Sequence, residues 1–146
     1  MFVKQISIFL ENKSGRLAEV TRTLGANNID ISALSIADTT DFGILRLIVN
    51  KPEEAERILR DEGFTVSCTS VIAICVQDRP GGLAEALEIL KKGNIGIEYM
   101  YAFVGKKENE AMVILKVDNS EGAVKTLKEN GVPVCLSNNV YKSAGH

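Results

Sequence analysis

The sequence predicts an α+β protein made of two βαββαβ units, each a four-stranded antiparallel sheet with two helices on one face. Three observations lead there. The first is an internal repeat: Asn12-Lys13-Ser14-Gly15-Arg16-Leu17-Ala18-Glu19 aligns with Asp78-Arg79-Pro80-Gly81-Gly82-Leu83-Ala84-Glu85 at a shift of 66, and Asn28-Ile29-Asp30-Ile31 aligns with Asn94-Ile95-Gly96-Ile97 at the same shift. Later the shift becomes 68 and lays Ala55, Leu59, Gly63 and Val66 over Ala123, Leu127, Gly131 and Val134, so the second copy carries two extra residues between its middle strands. The second observation is that apolar periodicity switches between the strand and helix periods in the same order in both copies. The third is length: 146 residues make one ordinary domain or two very small ones, and the repeat decides for two, divided as 1–69 and 70–146.

Each element has its own signal. Ile6, Ile8 and Leu10 alternate along Val3 to Leu10 as in a strand; after a Gly-containing loop, Leu17, Val20, Thr21 and Leu24 recur at helical spacing. Asn27-Asn28 ends that helix, Ile29 to Ala37 reads as the second strand, Thr39 to Gly43 as a turn and Ile44 to Val49 as the third strand. The apolar phase slips from Ile29 and Ile31 to Leu34 and Ile36, which predicts a bulge near Ser32 or Ala33. Pro52 suits the first turn of a second helix, with Ala55, Ile58 and Leu59 facing inward and Gly63 closing it before a strand near Phe64. The second copy repeats the order: strand Val71 to Val76, a helix on Leu83, Ala86, Leu87 and Leu90, strands Ile95 to Val104 and Ala111 to Val117, a helix on Ala123 and Leu127, and a strand near Val134. With right-handed crossovers this order is the ferredoxin-like arrangement. No Ser-, Gly- or Pro-rich linker divides the copies, and Thr65 to Gln77 is nearly continuous strand-like sequence, so the units are expected to sit rigidly together.

Composition excludes several classes of function. Lys plus Arg total 17 against 19 Asp plus Glu, a formal charge of −2 that does not favour nucleic acid. Cys68, Cys75 and Cys135 are odd in number, form no CxxC pair and read as buried reduced thiols rather than as redox or metal-binding residues. The single histidine, His146, is the last residue, so a catalytic triad or a His metal centre has no plausible core; no cofactor is called for and no enzyme is expected. Met1 is followed by a short alternating stretch rather than a leader or a membrane span, and the expectation is a cytoplasmic protein with no membrane contact.

The two loops between first strand and first helix hold the most chemistry. Unpaired amides and the positive dipole end of a helix suit a small carboxylate, and Gly15 or Gly81 lets it approach the backbone; the same glycines would equally serve a tight strand-to-helix turn. Arg16 and Arg79 are either neutralising partners for a ligand carboxylate or solvated surface charge. Tyr99, Tyr101 and Phe103 lie at period two on a strand whose alternate residues Met100, Ala102 and Val104 are apolar too. Both faces of that strand must be covered, by core on one side and by a subunit or domain contact, or a ligand pocket, on the other. The segment Gly105 to Glu110 reads as a solvated hairpin.

These residues resemble a known family. ENKSGRLAEVTRTLGANNIDISALSIADT is similar to the opening of an ACT domain in the form found in the small regulatory subunit of acetolactate synthase, and VQDRPGGLAEALEILKKGNIGIEYMYAF is similar to the commoner D-x-P-G form. The resemblance implies a module that senses a free amino acid and has no chemistry of its own, with the ligand between the loop of one domain and the second strand of a neighbour. It makes Asn12, Lys13, Ser14, Gly15, Arg16 and Leu17 candidate ligand-binding residues, with Asp78, Arg79, Pro80, Gly81, Gly82 and Leu83 in the second loop. On the strands it adds Ile29, Asp30 and Ile31, and Ile95, Gly96 and Ile97. Asn12 and Asp78 occupy the family's polar loop position and Asp30 its polar strand position, where Gly96 departs from the pattern; Ser14 departs where Pro80 keeps the family's proline. Asp30 or Asp78 can accept hydrogen bonds from an α-ammonium group, although Asp78 also suits a turn. The resemblance further implies pairing into a homodimer, and the alternative reading is a regulatory subunit acting mainly through contact with a metabolic enzyme.

Overall fold

The structure, a computed structural model, describes residues 2–11, 13–38, 41–103 and 109–135. Its elements are β1 (Val3–Glu11), α1 (Arg16–Ala26), β2 (Ile31–Asp38), β3 (Phe42–Val49), α2 (Pro52–Asp61), β4 (Thr65–Gln77), α3 (Gly82–Lys92), β5 (Ile97–Ala102), β6 (Glu110–Val117) and α4 (Ser120–Glu129). Two complete copies would supply eight strands, whereas the described residues form six, in the order β2-β3-β1-β4-β6-β5, all paired antiparallel. Continuity of the chain explains the difference. Thr65 to Gln77 holds no turn residue, so the last strand of the first copy and the first strand of the second are one 13-residue strand. Its residues Thr65 to Val71 pair with β1 and Ile72 to Gln77 with β6, and the 69/70 division falls inside it. The expected closing strand near Val134 is an isolated bridge from Val134 to Ile74, flanked by the Cys75 amide on the Pro133 carbonyl (3.2 Å) and the Cys135 amide on the Ala73 carbonyl (2.8 Å). His146 and the rest of 136–146 lie outside the described residues, as do Val104 and most of the expected hairpin after it and part of the turn beginning at Thr39.

The copies end their helices alike. Asn28 (φ +58°) and Asn94 (φ +56°) take the left-handed conformation, and the amides of Ile29 and Ile95 return to the carbonyls of Leu24 and Leu90, each at 3.0 Å. The second strands therefore begin at Ile31 and Ile97 rather than at Ile29 and Ile95, because Ile29 and Ile95 are spent on the cap. The bulge expected in the first copy lies between Ile31 and Ala33, and the second copy has its equivalent between Ile97 and Tyr99, which interrupts the strict alternation read there. On α1 only Val20 and Leu24 are buried; Leu17 and Thr21 are exposed, because the helix turns a narrower stripe to the sheet than its apolar spacing suggests.

Each copy buries a core between helices and sheet, centred on Ile6, Ile8, Leu45, Leu47 and Leu59 in the first and on Ile72, Ile74, Leu90, Leu115 and Leu127 in the second. A third core, of Val3, Ala33, Ile48, Val71, Ala73, Tyr101, Ile114 and Cys135, joins the two copies. Gln5 on β1 hydrogen-bonds two residues of β5, although β4 and β6 lie between them in strand order, so the sheet folds back on itself at β4. The faces turned away from the helices thereby meet. Gln5 is fully buried in that seam: its amide donates to the Tyr99 hydroxyl (2.8 Å) and the Tyr101 hydroxyl donates to its Oε1 (2.7 Å). The Arg46 guanidinium lies 3.7 Å over the Tyr99 ring, and burial raises the pKa of the Tyr101 hydroxyl, keeping it a donor. The aromatic face of β5 is thus a domain contact within the chain.

Candidate functional site

The two loops repeat bond for bond. In the first, the Lys13 amide donates to the Glu11 carbonyl (2.7 Å), Arg16 to Lys13 (3.4 Å) and Glu19 to Gly15 (3.0 Å); in the second, Arg79 donates to Gln77 (2.9 Å), Gly82 to Arg79 (3.0 Å) and Glu85 to Gly81 (3.0 Å). Gly15 (φ +88°) and Gly81 (φ +85°) are the helix N-caps, both left-handed, and as glycines they have no side chain with which to cap the helix. In the first turn the amides of Leu17 and Ala18, and of Leu83 and Ala84, have no intrahelical acceptor and carry the positive end of the dipole. That is a cradle for a small anion.

Side chains around the cradles are tied back. Arg79 donates to Gln77 Oε1 (2.7 Å), to the Pro80 carbonyl (3.2 Å) and to Glu85 Oε1 (2.7 Å). Arg16 donates to Glu19 Oε2 (3.0 Å) and stacks 5.0 Å from the centre of the Phe64 ring. Each copy therefore sets an arginine against the same helix carboxylate, although the two arginines come from different loop positions. Lys13 sits 2.8 Å from Glu11 and holds that carboxyl below its usual range. Ser14 and Pro80 are exposed, Leu83 is half-buried, the Asp78 amide is bound to the Asn109 carbonyl at 3.0 Å, and Asn12 lies outside the described residues. Two cavities of about 340 Å³ flank the second loop. One is lined by Gly82, Glu85, Cys75 and Pro133 among others, the other by Gln77, Asp78, Arg79, Asn109 and Glu110. Their size suits a small metabolite.

The strand positions are also matched. The Asp30 amide donates to Asn50 Oδ1 and the Gly96 amide to Asp118 Oδ1, each at 3.0 Å, while the amides of Asn50 and Asp118 return to the carbonyls of Asp30 (3.2 Å) and Gly96 (3.0 Å). Asn50 and Asp118 are not among the positions the resemblance names, although the shift of 68 aligns them two residues before the second helix of each copy. Asp118 restores a carboxylate where Gly96 has no side chain, and a Cβ at Gly96 would stand 2.7 Å from Asp118 Oδ2. Strand register separates loop from strand start within a copy. Glu11 and Asp38 lie at the Phe42–Gly43 end of β3, and Ile31, next to Asp30, pairs with Val49 at the other end. In the second copy Gln77 pairs with Glu110 and Ile97 pairs with Val117, again at opposite ends. The loop and strand of one copy do not form one pocket.

Among the described residues no group of three or more His, Cys, Asp or Glu is placed to hold a metal ion, and no helix is long and apolar enough to cross a membrane. The sequence profile of the family described as an ACT domain pair matches residues 1–143. No protein among curated sequences matches the chain. Among solved structures, protein BT0572 from Bacteroides thetaiotaomicron is 44% identical, with 97% of each chain covered and a TM-score of 0.92. The ligand-free regulatory subunit of aspartate kinase from Thermus thermophilus shares the fold at 15% identity, covering 88% of this chain and 92% of that one with a TM-score of 0.65. The corresponding subunit from Thermus flavus does so at 15% identity, 86% and 90% coverage and a TM-score of 0.60.

Proposed function

The chain belongs to the ACT domain-pair family, and from that premise we propose that it is a non-catalytic regulatory protein that binds a free amino acid at boundaries between ACT units. The observation that carries this reading is the repeated cradle: two helix starts, each opened by a left-handed glycine at the N-cap. First-turn amides hold the α-carboxylate. The α-ammonium donates charge-assisted hydrogen bonds to Asp30 in the first copy and to Asp78 or Asp118 in the second. Because loop and strand start lie at opposite ends within a copy, each ligand is completed by the other copy or by a second chain. The fold shared with aspartate kinase regulatory subunits supports a regulatory role in amino-acid metabolism.

Calorimetric titration with the twenty amino acids tests it. Asp30→Ala removes one charge-assisted bond, on the order of 1.5 to 3 kcal/mol, and is expected to weaken binding about tenfold to a hundredfold at one class of site. Gly81→Val closes the second cradle and is expected to remove the other portion of the isotherm, with circular dichroism showing both variants folded. Wild-type binding in Asp30→Ala would assign recognition to the second copy alone. A second reading, contact with a metabolic enzyme, is favoured by the outer edge of β2, where Leu34 and Ile36 are 43% and 47% exposed. We assign that edge first to a second copy of the chain.

A further inference from the structure

Cys75 lies on β4, and Cys135 lies sixty residues later in the segment that closes the second sheet. The two backbone bonds flanking the Ile74–Val134 bridge fix these segments in antiparallel register. In that register residues 75 and 135 stand diagonally on the same face, opposite the face that carries Ile74 and Val134. Their side chains converge on the core that joins the two copies, with the sulfur atoms 2.7 Å apart. A disulfide holds its sulfurs about 2.05 Å apart, so bond formation brings these two sulfur atoms together by well under 1 Å.

We propose that Cys75 and Cys135 are a redox modification site, forming a reversible intramolecular disulfide that staples the closing strand to β4. The two thiols differ in access. Cys135 is 8% exposed, whereas Cys75 is half-buried, so a small hydroperoxide reaches Cys75 first. The Cys75 thiolate attacks one peroxide oxygen; the O–O bond breaks, a sulfenic acid forms and the second oxygen leaves as water after taking a proton. Cys135 sulfur then attacks the Cys75 sulfur, the S–O bond breaks, and a second water leaves as the S–S bond forms. Two thiols and one hydrogen peroxide thus give one disulfide and two waters, the sulfurs losing the two electrons that the peroxide gains. Cys68 takes no part: it is hydrogen-bonded to Glu56, and burial together with that carboxylate pushes its pKa up to about 11.

The test treats the reduced, full-length protein with stoichiometric hydrogen peroxide, then unfolds it and alkylates the remaining thiols before intact-mass and peptide analysis. The expected product is two hydrogens lighter, has one alkylated cysteine, Cys68, and yields a linked Cys75–Cys135 peptide that dithiothreitol releases. Its melting temperature is expected to rise by roughly 4 to 16 °C over the reduced form. Cys68→Ser should preserve the product and Cys135→Ser should abolish it. Three alkylatable thiols after treatment, a sulfinic acid at Cys75, or a bridge involving Cys68 or a second chain would each overturn the assignment.

Discussion

Glycine is demanded at Gly82 for a different reason than at Gly15. A Cβ on Gly15 would meet nothing within 4 Å, so only its φ of +88° excludes other residues; a Cβ on Gly82 would stand 2.0 Å from the carbonyl oxygen of Gln77. Gly15→Ala is accordingly expected to cost about 1 to 2 kcal/mol through backbone strain, and Gly82→Ala on the order of 3 kcal/mol because β4 must shift from α3. Urea unfolding of the two variants checks the ranking; equal midpoints would refute it. The sequence aligns Gly15 with Gly81 and so exposes the shared cap, but it aligns Gly82 with Arg16, and nothing local says that Gly82 abuts a carbonyl. Asp118 escaped for a related reason, since its role depends on the backbone of Gly96, which is 22 residues away and becomes a neighbour only through β-pairing.

At the level of elements, the periodicities and punctuation of each copy were legible because local geometry sets them: the Asn28 and Asn94 caps, Pro52 at the start of α2, and the Ser32 bulge. What they could not convey is which elements merge. The absence of a turn between Thr65 and Gln77 was visible, yet it takes pairing on both halves to make one strand of it. That merging also changes the case for self-association. The aromatic face of β5 is covered inside the chain by the first copy, and of the two sheet edges β2 is the more apolar outside, with Leu34 and Ile36 at 43% and 47% exposed against Ile97 of β5 at 36%. Unpaired edges of this kind associate unless blunted. Sedimentation equilibrium of the purified protein is expected to give a dimer that Leu34→Lys with Ile36→Lys dissociates. A wild-type monomer at high micromolar concentration would instead leave the edge to an enzyme partner.

In the whole molecule, a polar anchor and an apolar seam hold the two copies together. Gln5 sits in an apolar alternation and gave no signal of its own; its partners Tyr99 and Tyr101 are 94 and 96 residues away. Once buried, its amide must be satisfied, so it fixes how the second copy lies on the first. An amino acid bound between units, as proposed, would stabilise the folded chain against unfolding. At a free ligand concentration of 100 dissociation constants the linkage amounts to about 2.7 kcal/mol, and each kcal/mol moves the midpoint of a chain this size by roughly 2 to 4 °C. The most direct measurement is thermal unfolding of the intact protein in the presence of each of the twenty amino acids in turn. One amino acid, or a chemically related few, is expected to raise the melting temperature by about 5 to 11 °C; twenty curves coincident with the ligand-free curve at millimolar concentration would contradict amino-acid binding.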